Sequence, residues 1–208
     1  MQESEKSWKA ALSHTSFRNQ FVITLIGILS FMFIFPSFFD WIESRTGKVL
    51  TDILLDQIPA MDVSFLIFFF LYSGIVVGVA AHYNHPKVIL IAMQTYLLIT
   101  LLRMASITLF PLNPPVGYMP LHEPFVQLFV KGGKIISHDL FFSGHVSTIL
   151  SIYFSTRKRV VNRYLLLCSI MISVLVLVQH VHYTIDVIAA VVLTYLVYKF
   201  CKRFLGGK

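Results

Sequence analysis

Charge is what this sequence has least of. Only 13 % of its 208 residues are Asp, Glu, Lys or Arg, while 56 % are hydrophobic and the mean hydropathy is +0.75. A soluble domain carries about a quarter of its residues as charges, so this composition excludes an ordinary soluble fold and points to a polytopic membrane protein. Cysteine is scarce too. Cys168 and Cys201 both fall in apolar stretches and offer no disulfide framework. Acidic residues are the rarer sign, 10 against 17 Lys and Arg, for a net charge of +7. The basic residues sit at the ends of apolar stretches and form no separate patch, which argues against a nucleic-acid partner. No internal repeat, low-complexity tract or Gly/Ser-rich linker interrupts the chain, so residues 1–208 read as one membrane domain.

What is present is six apolar stretches, at about 20–39, 63–82, 87–110, 140–156, 162–181 and 183–200, set against a hydrocarbon layer roughly 30 Å thick. The fourth is short, and its start is expected near residue 137. The last two are nearly continuous and need a sharp reversal around His180–Tyr183. The first is too long for a signal-peptide core, and no small-residue cleavage pattern follows it in FPSFFDWIES, so it reads as a retained span.

Orientation follows from the basic residues. In a six-span chain, Lys6, Lys9, Arg18, Lys87, Arg157, Lys158, Arg159, Arg163, Lys199, Lys202, Arg203 and Lys208 share one side. Only Arg45, Lys48, Lys131 and Lys134 lie opposite, and Arg103 falls inside the third span. Positive residues stay inside, so both termini are expected in the cytoplasm, with 1–18 a cytoplasmic segment and 111–139 an extracytoplasmic loop. The expectation is an all-α integral membrane protein, six helices in one bundle, with its basic face drawn to anionic lipid. The compact chain favours a bacterial inner membrane.

Ionisable residues at membrane depth are costly and mark candidate sites. Arg103 lies roughly 10 Å from the outer end of the third span at the helical rise. Asp139 and His145 begin the fourth, and His180, His182 and Asp186 lie at the junction of the fifth and sixth. Given the topology, all fall in one layer on the extracytoplasmic side. His182 and Asp186 are spaced i,i+4, so on a helix the carboxylate faces the imidazole and leaves its other nitrogen free. In FFSGHV, Ser143 is a candidate N-cap, Gly144 permits close approach to the backbone, and the first-turn N–H groups suit an anion. His145 is placed to donate a proton to a leaving oxygen, and Arg103 to clamp a phosphate ester. Taken singly, each has a packing explanation; convergence at one depth is what packing does not explain. His82 and His85 read instead as turn residues at the cytoplasmic surface, and His14 as part of the polar N-terminal segment.

At these residues the sequence resembles the sphingomyelin synthase family, within the type 2 phosphatidic acid phosphatase superfamily. That family's third motif reads C-G-D-x-x-x-S-G-H-T and its fourth H-Y-[ST]-x-D-V. The counterparts here are Ser137-His138-Asp139-Leu140-Phe141-Phe142-Ser143-Gly144-His145-Val146 and His182-Tyr183-Thr184-Ile185-Asp186-Val187, the two histidines 37 positions apart. The resemblance implies that His182, oriented by Asp186, is a nucleophile on phosphorus forming a phosphohistidine. It implies that His145 protonates the departing lipid alkoxide and then acts as base on the acceptor. Arg103, Asp139, Ser143, Gly144 and Tyr183 are the expected substrate- and phosphate-binding residues. No cofactor or metal is expected. The partners are a phospholipid donor and a ceramide, diacylglycerol or water acceptor, within a membrane, and a homo-oligomer is compatible with this reading.

The departures are specific. Cys-Gly of the third motif is Ser137-His138, and Val146 replaces a threonine. The second, arginine-rich motif survives only as Arg103 and Thr108 in YLLITLLRMASITLFPLNPP. The phosphatase motif K-x6-R-P is absent, and Val176 stands where those phosphatases carry an arginine. These differences favour the synthase-like branch over an ordinary phosphatidic acid phosphatase. The competing readings are a lipid phosphate phosphatase or phospholipase C-type hydrolase on the same histidines, a membrane metalloenzyme, and a transporter. The metalloenzyme lacks H-E-x-x-H or paired histidine boxes. The transporter lacks repeats and a midplane site.

Overall fold

Seven helices form among the residues described by the computed structural model, 7–122 and 136–205. They are α1 (Trp8–Ser13), α2 (Thr15–Glu43), α3 (Ser64–His82), α4 (Pro86–Leu109), α5 (Gly144–Ser155), α6 (Arg159–Val178) and α7 (Thr184–Phe200). A 3-10 turn at Leu55–Gln57 lies between α2 and α3, and a π-helical turn, Cys201–Leu205, continues α7. Residues 123–135 of the expected extracytoplasmic loop, with Lys131 and Lys134, lie outside the described residues. So do 1–6 and 206–208, with Lys6 and Lys208.

Five helical stretches are long and apolar enough to cross a membrane: Thr15–Glu43, Ser64–His82, Pro86–Leu109, Arg159–Val178 and Thr184–Leu205. Their outer faces are apolar, as lipid contact requires, with Phe33 83 % and Phe65 78 % exposed. A helix meets most of its backbone hydrogen bonds internally, which is the condition for crossing hydrocarbon, although Pro36 inside α2 has no N–H to give.

The fourth expected span is the departure. Its helix α5 holds only 12 residues, about 18 Å at 1.5 Å per residue, well short of the ~30 Å hydrocarbon layer. The physical reason lies just before it. Phe141 and Phe142 adopt φ of +70° and +58°, a left-handed turn that no helix can continue. α5 instead starts deep. Its first residue packs against Arg103, six positions before the end of α4, or about 9 Å below that end.

α5 is the central helix, packed on α3, α4, α6 and α7. Val146, Ile149 and Leu150 are buried with Ile67, Phe68, Ile99, Leu165 and Ile172. Gly74 and Gly78 on α3 bring its backbone against Ile149 and Ile152, the close approach that small residues allow between membrane helices. The serines of α5 are silenced internally, Ser147, Ser151 and Ser155 each donating to the carbonyl four residues back at 2.8 Å. The reversal expected at His180–Tyr183 separates α6 from α7. His82 departs from its expected surface position. It closes α3 at 2 % exposure, its Nδ1 2.9 Å from Gly78 O, because the last turn of α3, from Gly78 to His82, is still packed against the central helix at Ile152.

Candidate functional site

The site is built where the α6–α7 reversal meets the start of α5. Val178 O accepts from Met61 N–H, and Gln179 O from Met119 N–H, so the reversal is stitched to both neighbouring loops. His180 takes φ +54° and sets its two ring nitrogens 2.7 Å from Val116 O and 2.9 Å from Ile58 O. It thus ties loops together, where sequence placed it in the polar layer. The first turn of α7 is capped from the loop before α3, with Asp52 accepting from Thr184 N–H at 2.6 Å and from the Thr184 hydroxyl at 2.9 Å. Burial pushes the Asp52 carboxyl up, but the donors from Thr184 and Leu55 outweigh it and hold the group below its ordinary 3.8.

This frame fixes the His182–Asp186 pair. His182 Nδ1 lies 3.3 Å from Asp186 Oδ2, and the same oxygen accepts from Tyr183 N–H at 3.1 Å, so the carboxylate cannot swing away. Both side chains are buried, at 4 % and 0 % exposure. A proton on Nδ1 shared with Asp186 leaves Nε2 with a lone pair, the arrangement of an oriented imidazole nucleophile or base. Ser143 N–H donates to Asp186 O at 3.2 Å, which joins the two motifs directly.

The opposite wall comes from 137–145. The left-handed turn at Phe141–Phe142 aims carbonyls at α4. Phe142 O accepts from Arg103 Nε at 3.0 Å, and Phe141 O from the Ser106 hydroxyl at 3.3 Å. Arg103 Nη2 pairs with Asp139 Oδ2 at 2.5 Å and reaches Asp139 O at 3.4 Å. Ser143 caps α5, accepting from Val146 N–H at 3.5 Å. Gly144 has to be glycine for this approach, since a Cβ would lie 2.9 Å from Arg103 Cζ. His145 packs edge-on against Phe68, and its ring lies 6.5 Å from that of His182. The two imidazoles, one from each motif, are thus neighbours in the fold.

Buried side-chain atoms without a hydrogen-bond partner gather here. Among the described residues, three of the six are Asp139 Oδ1, His145 Nδ1 and Asp186 Oδ1. Unpaired buried polar atoms are costly, and these three leave hydrogen-bonding capacity at the site for a further partner. No three His, Cys, Asp or Glu side chains among the described residues converge as a metal ion would need.

Of the expected residues, Arg103, Asp139, Ser143, Gly144, His145, His182 and Asp186 come together. Tyr183 does not join them as a phosphate ligand. Its ring is 1 % exposed and its hydroxyl bridges Leu50 N–H at 3.1 Å and Asn113 O at 2.9 Å. Sequence reasoning missed Glu43, which binds Ser137 and His138, and Phe68 against His145. It also missed Tyr118, whose hydroxyl donates to Ile136 O at 3.2 Å. Burial, with the negative Glu43 and Asp139 nearby, pushes the Tyr118 phenol up to about 12. Val176 is fully buried.

Residues 138–203 match the family described as PAP2 superfamily C-terminal. The matched stretch holds His145, His182 and Asp186 and supports the type 2 phosphatidic acid phosphatase superfamily, whose members are phosphatases or phosphotransferases. The chain matches no curated protein.

Proposed function

With residues 138–203 carrying the C-terminal pattern of the type 2 phosphatidic acid phosphatases, we propose that this protein is a membrane enzyme transferring a phosphoryl-containing group from a lipid donor through a phosphohistidine. One observation carries the reading: His182, backed by Asp186, faces His145 across 6.5 Å beside the Arg103–Asp139 pair. His182 Nε2 attacks phosphorus, and the P–O bond to the lipid alkoxide breaks. His145 gives that alkoxide its proton. The acceptor hydroxyl then attacks phosphorus, the P–N bond to His182 breaks, the hydroxyl proton passes to His145, and His182 is restored. Arg103 and the first N–H groups of α5 stabilise charge on the phosphoryl oxygens.

The finer assignment is headgroup transfer, phosphocholine- or phosphoethanolamine-like, to ceramide or diacylglycerol. The burial of His182, Asp186 and Ser143 supports it, because a site closed to water favours a lipid hydroxyl over hydrolysis. In this reading the chain is one membrane domain with both termini in the cytoplasm, α5 serving as the sixth, short traverse. The site then faces the outer leaflet of a bacterial cell membrane. A lipid phosphate phosphatase is the same chemistry with water as acceptor.

The test supplies purified protein with labelled donor lipid, with and without ceramide or diacylglycerol, and separates products by chromatography. Transfer that persists in EDTA is the expected result. Release of water-soluble product alone would leave the hydrolase. His145→Ala and His182→Ala should each abolish turnover while the protein still inserts and purifies. Activity surviving in either variant, or lost to EDTA in the wild type, would refute the phosphohistidine route.

A further inference from the structure

Glu43 stands where a carboxylate is locally disfavoured. It is the last residue of α2, at the negative end of the helix dipole. Its partners account for it. Oε1 accepts from Ser137 N–H at 2.6 Å and from His138 N–H at 2.7 Å. Oε2 accepts from the Ser137 hydroxyl at 2.8 Å and lies 3.0 Å from His138 Nδ1. One side chain thus grips two consecutive residues at the start of the segment leading to α5. Two positions on, Arg45 reaches the other way and donates to Ile107 O at 3.3 Å and Thr108 O at 2.9 Å, carbonyls near the end of α4.

These contacts close a circuit. α4 carries Arg103, which pairs with Asp139. Asp139 follows Ser137–His138, which Glu43 holds, and Arg45 returns the end of α2 to α4. The direction in which Arg103 points is set by Asp139 and Phe142 O, and the position of Asp139 is set by the residues just before it.

We propose that Glu43 is a positioning residue: it acts through Ser137–His138 on the Arg103–Asp139 pair and so aims the Arg103 guanidinium at the substrate phosphate. This rests on the phosphoryl-transfer reading above. Without the carboxylate, two backbone N–H groups lose their acceptor and Asp139 is free to carry Arg103 off the edge of Gly144. Misplacement of that kind acts on turnover more than on binding.

The test uses the full chain in detergent or liposomes. Glu43→Ala should lower kcat by about 10- to 100-fold with KM within about threefold, the signature of lost orientation. Glu43→Gln should recover most of the rate, because its amide oxygen still accepts both N–H groups. In an Asp139→Ala background, where the circuit is already cut, Glu43→Ala should cost less than about threefold further. Equal losses in both backgrounds, or no loss in the first, would overturn the proposal. Hydrogen exchange over residues 137–143 gives a readout independent of activity: Glu43→Ala should strip their protection, and unchanged protection would overturn the clamp. If the wild type transfers or releases no lipid phosphate, the proposed reaction fails on its own and exchange alone decides the role of Glu43.

Discussion

Replacing Gly144 by alanine separates activity from stability at a single atom. The added Cβ would lie 2.9 Å from Arg103 Cζ, 3.0 Å from Nη1 and 3.2 Å from Nε. Carbon atoms rest at about 3.5–4.0 Å, so the guanidinium must retreat by roughly 0.6 Å or more. It is not free to do so at no cost, being held 3.0 Å from Phe142 O and 2.5 Å from Asp139 Oδ2. A retreat of that size leaves the bonds to Phe142 O and Asp139 strained but made, and takes from the guanidinium its hydrogen bond to the phosphoryl group, worth about 1.5–3 kcal/mol between charged partners. If the loss falls on the transition state, turnover drops about 10- to 100-fold. The fold gains over the same change. Gly144 is the first residue of α5 with no positive φ, and alanine in place of glycine at such a position contributes about 0.4–1 kcal/mol. Turnover of donor lipid and thermal unfolding of the same preparation are measured together. The expected outcome is a large fall in kcat/KM with an unfolding midpoint that holds or rises. Undiminished turnover, or a midpoint that falls in step with turnover, would refute the claim that Gly144 exists to admit Arg103.

Two further outcomes follow from the loops around the site. Tyr183→Phe removes the hydroxyl that links Leu50 N–H to Asn113 O, leaving two polar groups unpaired at about 1–3 kcal/mol. Stability should fall while turnover per folded molecule stays constant; a selective loss of turnover at unchanged stability would return Tyr183 to the phosphate site. Asp52 gives a pH dependence whose sign is fixed by its lowered pKa. A carboxyl depressed in the fold stabilises it fully above the ordinary value of 3.8 and loses that contribution as pH falls through the lower folded value. Asp52→Asn should therefore lower the neutral-pH midpoint and flatten the acid limb, and a limb that keeps its full slope would remove Asp52 as the cap of α7.

The residues legible in the sequence were those whose chemistry is local. His182 and Asp186 are four apart, so helical periodicity alone puts them on one face, and the structure keeps them there at 3.3 Å. Ser143, Gly144 and His145 lie in one turn, where capping and close approach are properties of neighbours. The apolar runs announced five of the spans for the same reason. Depth, by contrast, depends on where a helix starts, and hydropathy counted Leu140–Phe142 into the fourth span because phenylalanine is apolar. Nothing in that count registers two successive left-handed residues, whose work is to present carbonyls to Arg103 and Ser106.

Tyr183 and Glu43 fail for a deeper reason. The partners of Tyr183 are 133 and 70 positions away, and those of Glu43 are 94 and 95. A tyrosine beside a candidate nucleophile looks like a substrate ligand until the fold sends its hydroxyl to a loop, and a glutamate ending an apolar helix looks like an interfacial anchor. The one local hint is energetic. A carboxylate at a helix C-terminus opposes the dipole by a few tenths to about 1 kcal/mol, so it needs a compensating partner from elsewhere in the chain. Read that way, Glu43 was already a question about tertiary structure, and the four contacts it makes to Ser137 and His138 are the answer that no spacing rule could supply.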